Sequence, residues 1–255
     1  MNHYALHTET TGTGPVIVMI HGYLASSQYY KKIAKRLSVG HTVIRVDLLG
    51  HGRSPKPRAA EYGYDDHINA VRHTLTQLNI KGSFSIVGHS MGALIALRYA
   101  RLYPQDVSRI VLFNPPMFSS PDEALSDIAA TGHHYRAFLF SRFRGAVWRT
   151  IKILPRSPRK TRPAVSLSDV LAVPRQAREG SLHNVVMQGN VFEEIEEVDK
   201  PTMVVVGQKD RRIYLKNAMR HNWPDHVTLK INEYGHNGMA YHPELAEQYL
   251  RTHFL

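Results

Sequence analysis

The chain contains no cysteine. That excludes a disulfide framework, a thiol nucleophile and any Cys-ligated zinc or iron–sulfur centre. Long apolar runs are missing too. The longest near the start, residues 16–20 (VIVMI), is far short of a signal-peptide core or of the roughly 20 residues a membrane span needs. There is no H-E-x-x-H, no cluster at metal-ligand spacing, no P-loop and no G-x-G-x-x-G in a dinucleotide context, so neither a metal nor a cofactor is expected. Acidic residues are scarce: 21 Asp and Glu stand against 32 Lys and Arg, a formal net charge of +11. Most of the excess lies in one stretch, because residues 131–180 carry 11 basic and 2 acidic side chains. Charge concentrated in one segment points to a local anionic partner or substrate. The expected location is the cytoplasm.

What is present has an ordinary globular balance: 255 residues, 43% hydrophobic and 21% charged. That is enough for one large domain with its own core, and unlike a disordered or coiled-coil chain. Short apolar runs fall at residues 16–21 (VIVMIH), 42–48 (TVIRVDL), 84–87 (FSIV), 107–113 (VSRIVLF) and 202–207 (TMVVVG). Continuous apolar runs of this length read as parallel strands buried on both faces. Residues 227–231 (VTLKI) alternate and suit an edge strand. Helical spacing occupies 27–37, 65–78, 91–102 and 242–255, the last opening with Pro243 in a first-turn position. Alternating strand and helix predicts an α/β doubly wound, mostly parallel sheet with its site at the carboxyl ends of the strands.

The alternation stops between about residues 115 and 194, where seven prolines punctuate helical pieces and no strand is legible. So long a stretch is not a plain connection. The expected organisation is a core of residues 1–115 and 195–255 with a basic helical cap inserted at 116–194. Within 136–156, Phe140, Phe143, Val147, Ile151 and Leu154 share a stripe at helical spacing, with Arg136 and Arg144 flanking it. This reads first as a cap helix whose apolar face closes over the site. Arg136, Phe140, Phe143 and Arg144 are the candidate substrate contacts. A second reading pairs the arginines with a substrate carboxylate or phosphate. A third lays the basic helix on an anionic membrane surface, making the protein peripheral to it. The cap has few of the glycine or aromatic platforms that single-strand readers use, and no helix-turn-helix pattern is evident, so nucleic acid is not expected as a partner.

Gly88-His89-Ser90-Met91-Gly92 is a G-x-S-x-G placed between a strand and a helix. A serine on such a turn projects its Oγ from the sheet, while the glycines allow close backbone approach. A serine hydroxyl needs a base, and the base needs a carboxylate to orient it. Asp210 follows the strand 202–207, and His236 follows the strand 227–231, each at a carboxyl end. Among 16 histidines, His134 in the cap is the rival base. Asp199 comes too early to clear its strand end. Asn114, after the strand 107–113, is an amide and cannot supply a charge. The oxyanion donors expected are the backbone N–H groups of Met91, next to the serine, and of Tyr23, in the loop after His21-Gly22.

His21-Gly22, the stretch Asp47-Leu48-Leu49-Gly50-His51-Gly52-Arg53-Ser54, the serine motif, Asp210 and His236 together resemble the α/β-hydrolase superfamily. The resemblance covers both ends of the chain and leaves the cap unmatched. It implies a sheet of seven or eight strands, the shortage falling before Val16, a Ser-Asp-His triad and no cofactor. It assigns the 47–54 stretch to a structural loop. Relatives that use aspartate as nucleophile, the epoxide hydrolases and haloalkane dehalogenases, are excluded by Ser90. The expected activity is cofactor-independent cleavage of a small-molecule or lipid carboxylic ester, of the carboxylesterase and lipase type, through an acyl-enzyme. Two alternatives remain: a carbon–carbon bond hydrolase or lyase on an acidic substrate with the same triad, and a non-catalytic binding protein on the same fold.

Overall fold

A computed structural model describes residues 3–130 and 164–254. Seven strands form one sheet: β1 (Thr8–Thr11), β2 (Val16–Ile20), β3 (Thr42–Val46), β4 (Phe84–His89), β5 (Val107–Phe113), β6 (Thr202–Gly207) and β7 (Val227–Asn232). Their order is β1-β3-β2-β4-β5-β6-β7, with β1 antiparallel to β3 and every other pair parallel. The central strands β2, β4 and β6 are buried along nearly their whole length. The alternating β7 lies at an edge, where its side chains are only half-buried or exposed.

The helices fall on both faces. α1 (Lys31–Leu37) extends a 3₁₀ turn at Ser27–Tyr30, and α2 is Tyr64–Gln77. α3 (Met91–Leu102) matches its expected span and is the most buried helix among those described. After β5 come α4 (Pro121–Ala130), α5 (Leu167–Ala172), α6 (Arg175–Ser181) running into a π turn at Leu182–Val186, and α7 (Val191–Glu196). α8 (Arg212–Arg220), the short α9 (Gly238–Tyr241) and α10 (Pro243–Phe254) complete the chain. Two apolar clusters sandwich the sheet. One is built on Val18, Ile20, Leu94, Leu97 and Leu112, the other on Ile17, Met19, Ile33, Val111 and Leu250. Alternate residues of the same strands thus feed opposite layers, as the two-residue period of a strand requires.

Two details depart from the sequence expectation. β1 has no apolar signature (TETT), because it is a short edge strand fixed by pairing with β3 and by an ion pair between Glu9 and the buried Arg45. Leu78, the last residue of the helical spacing expected over 65–78, is the C-cap residue of α2 and is 40% exposed. Among the described residues no helix is long and apolar enough to cross a membrane.

Candidate active site

The carboxyl ends of β4, β5, β6 and β7 are tied together before any side chain is considered, and β2 lies beside β4 in parallel register. Ser90 N–H donates to Phe113 O at 2.9 Å, Asn114 N–H to Val205 O at 2.8 Å, and Gln208 N–H to Asn232 O at 2.7 Å. On this rim β4 turns into α3 without a spacer. Ser90 sits at the turn with φ +53° and ψ −124°, a left-handed backbone that a serine adopts only under constraint. The constraint is close packing. A Cβ on Gly88 would stand 2.4 Å from Ala93 Cα, and one on Gly92 would stand 2.3 Å from the carbonyl oxygens of Ile20 and His21. Both flanking glycines are therefore required by space.

His236 follows β7 and lies beside this turn. Its Nε2 is 2.9 Å from Ser90 Oγ, and its Nδ1 is 2.8 Å from Asp210 Oδ2. The Asp210 carboxylate is nearly buried and also accepts the Arg211 N–H through Oδ1 at 2.7 Å. A carboxylate beside Nδ1 sets the tautomer: Nδ1 carries the proton, which leaves Nε2 to accept from the serine hydroxyl. Three residues 26 to 146 positions apart thus form one hydrogen-bonded line from carboxylate through imidazole to hydroxyl.

The loop after β2 runs against the serine, since a Cβ on Gly22 would lie 3.0 Å from Ser90 Cβ. His21 is wholly buried and joins this loop to the next strand end. Its Nδ1–H donates to Gly22 O at 2.8 Å, and its Nε2 accepts the Leu48 N–H at 3.0 Å. Burial pushes the His21 imidazole below its usual pKa, which keeps it neutral and suited to both bonds. Tyr23 stands in this loop, its phenol donating to Arg178 O at 3.1 Å, and Met91 heads α3, where first-turn N–H groups have no helical acceptor. The 47–54 stretch is a self-bonded scaffold. Asp47 accepts N–H bonds from Ser27 and Arg53 at 2.6 and 2.8 Å. Burial would raise its carboxyl, but these donors outweigh burial and hold it below the usual range.

A cavity of about 410 Å³ opens over the hydroxyl. Ser90, His236, Asp210 and the loop of Gly22 to Ala25 form one wall. Ile128, Val165, Val170, Leu182 and Val186 form the other, all from the stretch after β5. Arg211 reaches the cavity edge, where its guanidinium is paired with Asp127 of α4. Arg136, Phe140, Phe143 and Arg144 lie outside the described residues, as do the rest of the expected basic helix and His134. Among the described residues no group of three or more His, Asp or Glu is placed to hold a metal ion.

Two residues contribute to the site in ways the sequence reading did not give them. Asn114 donates through Nδ2 to His236 O at 2.7 Å and accepts the Gly207 N–H through Oδ1 at 2.9 Å. His89 donates through Nε2 to the same His236 carbonyl at 2.8 Å. Their neighbourhood to Ser90 and to a strand end was legible; their partners, 93 to 147 residues away, were not.

Fold and rim together define an α/β hydrolase. The family model for the alpha/beta hydrolase fold matches residues 15–243, and the chain belongs to that family. An uncharacterized protein of Mycobacterium tuberculosis is 42% identical over 101 residues, 40% of this chain and 29% of its own length. A cis-3-alkyl-4-alkyloxetan-2-one decarboxylase of Shewanella oneidensis is 34% identical over 119 residues, 46% of this chain and 37% of its own. The matched segment thus spans well under half the length of these relatives. A thermophilic esterase from Thermogutta terrifontis shares the fold with a TM-score of 0.74, at 22% identity over 97% of this chain and 92% of the other.

Proposed function

We propose that the protein is a serine hydrolase that cleaves a carboxylic ester, with Ser90 as nucleophile, His236 as general base and acid, and Asp210 as the group that orients and stabilises the imidazole. The observation that carries this reading is the continuous line Asp210–His236–Ser90 at 2.8 and 2.9 Å on the open side of a cavity. Ser90 Oγ attacks the ester carbonyl carbon as His236 Nε2 takes its proton. The oxyanion is met by the N–H groups of Met91 and Tyr23. Collapse of the tetrahedral intermediate breaks the carbon–oxygen bond to the alcohol, which leaves with the proton from His236. Water then attacks the acyl-enzyme and gives one proton to His236. The acid departs, and that proton returns to Ser90.

Residues 116–194 serve in this reading as a cap, supported by the aliphatic wall that Ile128, Val165, Val170, Leu182 and Val186 supply. Their apolar character suits an apolar acyl group. Arg211, at the described cavity edge, has its guanidinium paired with Asp127. The esterase name of a structurally similar protein is in keeping with ester cleavage on this scaffold, and the decarboxylase relative is named for an oxetan-2-one, itself a cyclic ester. The test is labelling with a fluorophosphonate followed by peptide mapping, with turnover of p-nitrophenyl esters alongside. One adduct on Ser90 and a turnover that disappears in Ser90→Ala are expected. An unlabelled Ser90 in the folded protein sinks the proposal and leaves a binding protein.

A further inference from the structure

The His236 carbonyl oxygen receives two side-chain donors, and the residues that supply them have no other evident reason to meet. His89 Nε2–H approaches at 2.8 Å and Asn114 Nδ2–H at 2.7 Å, the latter reaching Gly235 O as well at 3.4 Å. Both donors are themselves fixed. The amide of Asn114 is locked in one orientation because its Oδ1 takes the Gly207 N–H from the end of β6, three residues before Asp210. Its backbone stands at φ +45°, a conformation that asparagine and aspartate tolerate and most residues do not. His89 is buried and stacked on Tyr29 with ring centroids 4.4 Å apart, and its Nδ1 is buried. Burial, with the neighbouring His236, pushes its pKa well below the ordinary histidine value, so it holds one proton, on the nitrogen that faces the carbonyl.

We infer that His89 and Asn114 form a two-donor clamp on the His236 carbonyl and act as positioning residues for its imidazole. This rests on the reading of Ser90 and His236 as the hydrolytic pair. The need for a clamp follows from where His236 stands. It lies on a loop between the edge strand β7 and the four-residue α9, and its side chain is about a third exposed. Backbone bonds hold the loop on either side of His236, Lys209 N–H to Tyr234 O at 2.9 Å and Gly238 N–H to Gly235 O at 2.8 Å, and the imidazole must face Ser90 on one side and Asp210 on the other. A displacement of about 1 Å in a reacting group can cost on the order of 100-fold in rate. Asn114 also couples the two partners. One side chain holds the strand end that carries Asp210 and the loop that carries His236, so the carboxylate and the imidazole keep their spacing together.

The decisive variants change donors and keep volume. Asn114→Asp retains an acceptor for the Gly207 N–H and tolerates the same φ, but it aims a carboxylate oxygen at the His236 carbonyl. His89→Leu removes its donor, while His89→Gln places an amide N–H near the position of Nε2. Turnover is counted per Ser90 site, titrated to completion with the fluorophosphonate so that unfolded chains are not scored. The expected result is that Asn114→Asp and His89→Leu lower kcat and the labelling rate constant about 10- to 100-fold, with KM nearly unchanged. His89→Gln recovers most of the loss. The downfield proton resonance of His236 Nδ1–H, observed in the resting enzyme without any substrate, should broaden or shift in the two deficient variants. Wild-type kcat per titrated site and an unmoved resonance in both would overturn the clamp and leave the hydrolytic reading intact. Loss confined to Tm and to the titratable fraction would also overturn it, by showing a purely structural role. A wild-type chain that takes no label removes both proposals at once.

Discussion

Ser90 shows how a single residue concentrates the constraints of this fold. Its backbone is held in a left-handed conformation by two neighbours with no room for a Cβ, and it presents a half-buried hydroxyl to the cavity against a buried helix start. Gly92→Ala would drive a methyl group into two backbone carbonyls that are locked in β2 and its loop. A loss of about 1–3 kcal/mol in denaturant unfolding is expected, whereas a midpoint equal to wild type would show that the turn can open. Asp210→Asn keeps the shape beside His236 but allows the wrong imidazole tautomer. In the proposed reaction kcat falls by about 10⁴ with little effect on KM, and steady-state ester hydrolysis measures it. Ser90 was conspicuous before any coordinates because its motif is local. Asn114 was read only as an amide unable to serve as the acid, since nothing within a few positions reveals the carbonyl it grips.

Elements report on packing that local pattern captures unevenly. The span of α3 was legible because its small and aliphatic residues face a sheet on one side and α2 and α7 on the other. A charged link completes that second contact: Arg98 Nη2 meets Glu194 Oε1 at 2.5 Å, with the Glu194 side chain only 6% exposed and the Arg98 guanidinium 4.1 Å above the Tyr64 ring. Removing one partner strands a charge in a nearly dry place. Arg98→Met should destabilise by about 3–5 kcal/mol, and adding Glu194→Leu should return most of it. Equal stability of the single and double variants in urea titrations would contradict this. β1 was illegible for the opposite reason. Its four residues earn their strand from hydrogen bonds to β3 and from Arg45, so no side-chain period marks it.

For the whole molecule, the unusual feature is a set of buried neutral histidines. His21, His51, His67 and His89 are all at most 3% exposed, and burial pushes each pKa below the usual value, for His67 to about 3. In the unfolded chain each binds a proton near pH 6.5; in the folded chain each stays neutral. Stability is therefore intact above pH 6.5 and is lost as pH falls below it, down toward the folded-state values. One such imidazole costs about 1.4 kcal/mol for each pH unit in that window. The unfolding free energy should drop steeply between about pH 6.5 and about pH 4.5, and His67→Gln should flatten the slope by roughly one proton's worth. A pH-independent denaturation midpoint across this range would show that the folded protein protonates these rings.

The amino-acid sequence alone determined the alternation of strands and helices, the serine turn and the positions of Asp210 and His236 at strand ends. Each of these depends on the spacing of residues near one another in the chain, and hydrophobic period and turn chemistry are local properties. Only the tertiary structure decided which groups touch: the hydroxyl, imidazole and carboxylate in one line, the clamp of His89 and Asn114, the pairing of Arg211 with Asp127 that neutralises the cavity edge, and the polar edge strand β1. Those contacts join residues from a few tens to well over a hundred positions apart. They form only when burial of two apolar layers brings five strand ends onto one rim, and no local pattern encodes a distance across that rim.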